Sequence, residues 1–180
     1  MPDPSDQDPF TTLGLPARFD LSPEAIRRAH MARMGTVHPD VAGASPTDET
    51  QVARLNQARG VLEDPERRAS ALLARVGGPS KEQDKSLPAG FLMEIMETRE
   101  GVEAAVASKD ALSIDRWRAW AGEQRRGYAA AVGGMFAALG DPPAREALVA
   151  IRTRLNAWRY IERLIEQLDP GYDPARADFR

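Results

Sequence analysis

Cysteine is absent from the 180 residues. That excludes disulfides, a thiol nucleophile, a cysteine-bound iron–sulfur cluster and cysteine-ligated zinc, and it suits a reducing compartment. Histidine is nearly absent as well. His30 and His38 are too few for a multi-histidine metal site. There is no excess of positive charge. The 24 Lys and Arg against 27 Asp and Glu leave a net charge of −3, which argues against a nucleic-acid binder working by phosphate neutralisation. No apolar run approaches the roughly 18 residues needed to span a bilayer. Residues 1–8 are acidic and proline-bearing, without the basic start and apolar stretch of a leader. The expectation is a cytoplasmic protein with no membrane or nucleic-acid partner. Strand signals are missing too, because no stretch alternates apolar and polar residues with β-branched enrichment. The fold class expected is all-α.

What is present is helical punctuation. Residues 8–15 read as one or two helical turns carrying Phe10 and Leu13, limited by Gly14 and Pro16. Ser22-Pro23-Glu24 supplies an N-cap, a proline at the first helical position and an acid in the first turn. The helix it opens is predicted to reach about Val37, since Pro39 disfavours helical backbone in the residue before it. A second long helix is predicted over 47–62, with Val52, Leu55, Ala58, Val61 and Leu62 inward. Asp64-Pro65-Glu66 restarts a helix running to about Val76.

Residues 77–87 are polar and rich in breakers, the composition of a linker. Longer helices follow, over about 88–107, 111–139 and 142–168. Short connections at Ser108-Lys109-Asp110 and Gly140-Asp141-Pro142 favour antiparallel neighbours, hence a three-helix bundle. The organisation expected is an N-terminal helical domain over 8–76, a linker over 77–87, a bundle over 88–169 and a tail over 170–180. Trp117, Trp120 and Trp158 read as bundle packing.

Two long helices joined by a loop holding His38-Pro39-Asp40 are the informative feature. Around it stand the short helix ending near Leu15, then Leu55-Asn56-Gln57-Ala58, then the run from Val61-Leu62-Glu63 through Asp64-Pro65-Glu66 to Arg67-Arg68-Ala69. Together these resemble the J-domain, the module that activates DnaK-class chaperones, over about residues 8–75. Pro39 fixes its own backbone and restricts His38. Asp40 offers a carboxylate that accepts two charge-assisted hydrogen bonds from an arginine fork. The resemblance implies that Asp40 engages an arginine of the chaperone's ATPase domain and that His38, Pro39, Asp40, Arg27 and Arg28 form the chaperone-binding set. The sequence also departs from the family. Met31, Ala32, Gly35 and Thr36 are neutral where basic residues are common. Arg33 stands where a core leucine is typical, Arg59 where a core aromatic is typical, and Val41 replaces a common lysine. Gly35 inside a helix costs about 1 kcal/mol against alanine. His30 occupies a position that usually holds a core aromatic.

The second half narrows the family. Phe91-Leu92-Met93-Glu94, Met96-Glu97 and Arg99-Glu100 are similar to the opening of the C-terminal domain of the HscB family, and residues 10–18 resemble its start. Phe91, Ile95, Thr98 and Val102 share one helix face suited to the core. Met93, Met96, Glu97 and Glu100 share another, with Leu92 one turn before Met96. An apolar patch beside carboxylates fits a protein partner, and methionine suits an adaptable contact. The alternative is that Leu92 and Met93 belong to a wide core stripe. The resemblance implies that this face receives an IscU-type iron–sulfur scaffold, with Ile151 and Leu155 of the last helix adding to it.

The function this implies is a co-chaperone that delivers the scaffold to an HscA- or DnaK-class chaperone, stimulates its ATPase and needs no cofactor. A J-protein with another client and a degenerate J-like interaction module are the alternatives. An enzyme using His38 and Asp40 as acid and base is disfavoured, since neighbours split by proline make a poor triad and no nucleophile elbow accompanies them.

Overall fold

The computed structural model describes residues 8–37, 46–169 and 171 of the chain. Among them are seven α-helices and no strand: α1 Pro9–Leu13, α2 Pro23–Val37, α3 Pro46–Glu63, α4 Pro65–Arg75, α5 Phe91–Ser108, α6 Ala111–Ala137 and α7 Arg145–Gln167. The all-α expectation holds. The boundaries follow from local chemistry. Asp8 caps α1 by accepting from the backbone N–H groups of Phe10 and Thr11, and Asp64 caps α4 by accepting from those of Glu66 and Arg67. Ser22 Oγ accepts from Ala25 N–H at the start of α2.

Two helices begin later than the residue pattern predicts. Gly90 has φ +78°, a left-handed backbone that interrupts any helix begun at Pro88, so α5 starts at Phe91. Asp141 and Pro142 each precede a proline, which drives them out of the helical region, and α7 starts at Arg145 instead of Pro142.

Helices α2 and α3 pair as a hairpin, and α1 packs against α3. Their core holds Phe10, Leu13, Leu21, Ile26, Val37, Leu55, Ala58 and Leu62, with Leu72 reaching in from α4. Val52 is only half-buried at its edge, and Val61, also expected inward, is half-buried. His30 is buried, and its Nε2 lies 3.0 Å from Asn56 Oδ1 on α3. The buried ring thus ties α2 to α3 by one hydrogen bond across the hairpin.

The second core is larger and gathers α5, α6 and α7 around Trp158, Ile151, Leu155, Val132 and Val102. Helix α4 serves both cores, sending Leu72 into the first and Ala69 and Leu73 into the second. Phe19, in the connection before α2, stacks on Phe136 of α6 with centroids 6.2 Å apart. The Arg68 guanidinium lies 5.3 Å from the centre of the Phe19 ring and donates to Leu62 O. The polar segment before α5 is also held. Asn156 Nδ2 on α7 donates to Asp84 O at 2.9 Å and Ser86 O at 3.0 Å.

The α4–α7 contact buries charge. Glu66 and Arg152 are each less than a tenth exposed. Burial pushes the Glu66 carboxyl above the usual carboxylate range, against the opposing pull of Arg159. A raised native value means that the folded state favours the protonated form. Its stabilising contribution is complete below the unfolded carboxylate range and is lost as pH rises through the native value. Glu66→Gln is therefore expected to raise the melting temperature at pH 7, with the gain shrinking toward pH 4. Thermal melts at both pH values check this, and a lower melting temperature at pH 7 would contradict it.

Candidate functional site

One face of α5 is the first candidate. Phe91, Ile95, Val102 and Ala105 of this helix are buried, while Thr98 is half-buried. The Phe91 ring meets Tyr160 of α7 edge-on at 5.7 Å. At Gly101 the helix comes so close to Trp117 of α6 that a Cβ would lie 2.5 Å from the indole. Only glycine permits that approach. The core-facing side of α5 is thus fully engaged, and the opposite side is turned outward by helical geometry.

That outward side carries Leu92, Met93 and Met96, which are 53%, 73% and 57% exposed. The wide-core-stripe alternative is thereby excluded. Glu97 and Glu100 are exposed on the same side and have no ion-pair partner among the described residues. Glu103, a turn further along, pairs with Arg99 at 2.6 Å. Three large apolar side chains flanked by two unpaired carboxylates make an adaptable apolar contact with an acidic border.

Ile151 and Leu155 do not join this surface. Both are 0% exposed, packed in the second core with Trp158. Their spacing on α7 is that of its deepest stripe, so they support the bundle instead of touching a partner. Thr153, between them on the same helix, is half-buried, and its hydroxyl donates to Val149 O at 3.1 Å. The candidate surface rests on α5 alone. Trp117 and Trp120, edge to face at 5.6 Å, pack against the core as expected.

The second candidate is α2. His38, Pro39 and Asp40 lie outside the described residues, immediately after the last residue of α2. Arg27 pairs with Glu24 at 3.0 Å on the helix surface. Arg28 is exposed and has no partner among the described residues. Arg33 folds back against Gly14 at the end of α1, where a Cβ would come within 2.6 Å of its Nη2. Met31, noted from sequence only as a missing charge, is 72% exposed. A helical wheel of residues 23–37 would have placed it outward, opposite Ile26 and His30. No helix among the described residues is long and apolar enough to cross a membrane.

Comparison with known proteins agrees with both halves. The DnaJ domain profile matches residues 8–70, and the HSCB C-terminal oligomerisation domain profile matches residues 87–169. A co-chaperone HscB homolog from Burkholderia mallei is 32% identical over 145 residues, covering 77% of this chain and 83% of its own. One from Bordetella petrii is 32% identical over 167 residues, covering 89% and 94%. Among solved structures, the chaperone HscB from Vibrio cholerae superposes with a TM-score of 0.71 at 27% identity over 90% of this chain and 95% of that one. The human co-chaperone HscB shares the fold, with a TM-score of 0.73 at 21% identity over 93% and 82%. Matched in both halves and over most of its length, the chain belongs to the HscB family of J-domain co-chaperones.

Proposed function

We propose that the chain binds an IscU-type iron–sulfur scaffold and delivers it to an HscA- or DnaK-class chaperone, stimulating that chaperone's ATPase. The observation that carries the client half is the outward face of α5, where Leu92, Met93 and Met96 lie beside Glu97 and Glu100 while the opposite face is core. A scaffold surface that is apolar and partly basic complements it in both respects. The chaperone half rests on His38, Pro39 and Asp40 with Arg27 and Arg28, in a chain whose residues 8–70 match the DnaJ domain.

Residues 8–76 act as the J-domain, 77–87 as the connection, 88–169 as the client-binding bundle and 170–180 as a tail. Joining the two sites in one chain raises the effective concentration of client at the chaperone. The chain carries out no chemistry itself, uses no cofactor and works in the cytoplasm. A different client is the second reading, favoured by the burial of Ile151 and Leu155, which leaves the α5 surface without support from α7.

Asp40→Asn is the test of the chaperone half. Replacing an ionised acceptor by a neutral amide in a charge-assisted pair is expected to reduce ATPase stimulation about 10- to 100-fold. Scaffold affinity should not change, because the substitution lies on the other half of the chain. Single-turnover ATP hydrolysis and calorimetric titration report the two separately. Stimulation by the variant equal to wild type would overturn the chaperone reading.

A further inference from the structure

A polar cavity in the bundle belongs to neither candidate surface. It measures about 320 Å³ and lies between the start of α5, the middle of α6 and α7. Phe91 and Glu94 stand on one side of it, Gln124, Gly127 and Tyr128 on the second, and Arg154 crosses from α7. The spacing i, i+3, i+4 puts the three α6 residues on one helix face. Leu92, Met93 and Met96 do not line it, so it is separate from the outward patch of α5.

The polar groups of the cavity are left unsatisfied by the chain itself. The Arg154 guanidinium lies 4.4 Å from the centre of the Tyr128 ring, which holds it in place and leaves its N–H edge free. Neither Arg154 nor Glu94 has an ion-pair partner among the described residues, so two opposite charges share one cavity without pairing. Tyr128 is 7% exposed, and its hydroxyl has no hydrogen-bond partner among the described residues. Burial pushes the phenol above its ordinary range, so it remains an O–H donor. Gln124 is half-buried, and its amide has no partner among them either. A buried donor without an acceptor is costly, and a ligand oxygen would satisfy it. Gly127 keeps the α6 wall low. Its φ is not in the left-handed range and a Cβ built on it would meet nothing within 4 Å, so neither backbone nor packing asks for this poor helix former in the middle of α6.

We propose that this cavity binds a zwitterionic α-amino acid with an apolar side chain. The ligand carboxylate accepts from the Arg154 guanidinium and the Tyr128 hydroxyl, and the ligand ammonium donates to the Glu94 carboxylate. The ligand side chain lies along Pro88 and Phe91, which also line the cavity. The charges select this class. A phosphate or a dicarboxylate would meet Glu94 as well as Arg154, and a diamine would meet Arg154 as well as Glu94. A divalent cation would find one carboxylate where several oxygen ligands are needed. The volume suits a small ligand, since it stands at the low end of the ~300–1,000 Å³ of small-molecule sites.

The experiment titrates L-leucine into the isotope-labelled full chain and follows the backbone amide shifts. Saturable shifts centred on Gly127, Tyr128 and Arg154, with a Kd of about 1 mM or tighter, are the expected result. N-acetyl-L-leucine lacks the ammonium and L-leucinamide lacks the carboxylate. Each should bind at least about tenfold more weakly, as should L-leucine to Glu94→Gln and to Arg154→Met. Gly127→Leu should abolish binding by filling the cavity. It replaces an exposed glycine by a better helix former, so a melting temperature no lower than that of wild type shows that the loss is not unfolding. No saturable shift with L-leucine up to ~20 mM would overturn the proposal. Equal binding of N-acetyl-L-leucine would reduce the cavity to a carboxylate site and overturn it too. Binding undiminished in Gly127→Leu would place the ligand elsewhere, with the same consequence. None of these outcomes bears on scaffold or chaperone binding, because the variants lie outside both candidate surfaces.

Discussion

Replacing Leu92, Met93 and Met96 together by alanine is expected to abolish binding to an IscU-type scaffold without lowering the melting temperature. The three side chains are more than half exposed, so the folded chain loses little packing when they are shortened. Alanine is the strongest helix former, and α5 keeps its anchors at Phe91, Ile95 and Val102. In a complex the same side chains would be desolvated at the centre of the contact. Truncating a central apolar anchor costs about 1–2 kcal/mol, so three adjacent ones amount to roughly 3–5 kcal/mol, a loss of more than about 100-fold. Calorimetric titration of scaffold into wild type and variant measures it. Glu97 and Glu100 sit at the border of the patch, and reversing them should alter association rate and salt dependence more than residence time. Undiminished affinity in the triple variant would show that the client surface lies elsewhere.

Trp158→Ala is expected to destabilise the bundle by about 3–5 kcal/mol, the range for emptying a buried aromatic site. Trp158 is 0% exposed and stacks on Tyr128 with centroids 6.3 Å apart. Its indole N–H donates to Glu162 Oε1 at 2.7 Å, and Glu162 also accepts from the Arg125 guanidinium. The substitution thus opens a cavity and removes one donor from a buried carboxylate. Trp158→Phe separates the two effects. It keeps much of the volume but forfeits the hydrogen bond, and it should cost about 1–2 kcal/mol. Urea denaturation followed by circular dichroism gives both values. Equal losses in the two variants would mean that the hydrogen bond to Glu162, not the packed volume, holds the site.

The helices and the outward patch of α5 were legible in the sequence because their signals are local. Ser22 and Asp64 each announce a helix start within four residues. The i, i+4, i+11 spacing of Phe91, Ile95 and Val102 assigns the core side of α5 and, by exclusion, the outward side. The structure supports those readings. What sequence could not resolve depended on neighbours brought from far along the chain. Ile151 and Leu155 sit on a stripe of α7 whose character is set by what packs on it, and α4, α5 and α6 all do. Periodicity marks such a stripe as apolar but does not say which partner covers it.

Buried charge is hidden for the same reason. Glu162 reads as a surface acid until Arg125 arrives from 37 residues away. The polar run before α5 reads as a free connection until Asn156, 72 residues from Asp84, takes its carbonyl groups. Met31 was overlooked for a different reason. Comparison with a basic pattern draws attention to the absent charge and away from the apolar side chain that replaced it.

The central claim is that one chain couples client to chaperone. The most direct measurement is ATP turnover by the DnaK-class chaperone with scaffold alone, with the chain alone and with both. The account predicts stimulation with both that exceeds the sum of the separate effects. The excess should vanish in the Leu92→Ala/Met93→Ala/Met96→Ala variant, and all stimulation by the chain should vanish in Asp40→Asn. Strictly additive turnover, unchanged by the triple variant, would contradict coupled delivery.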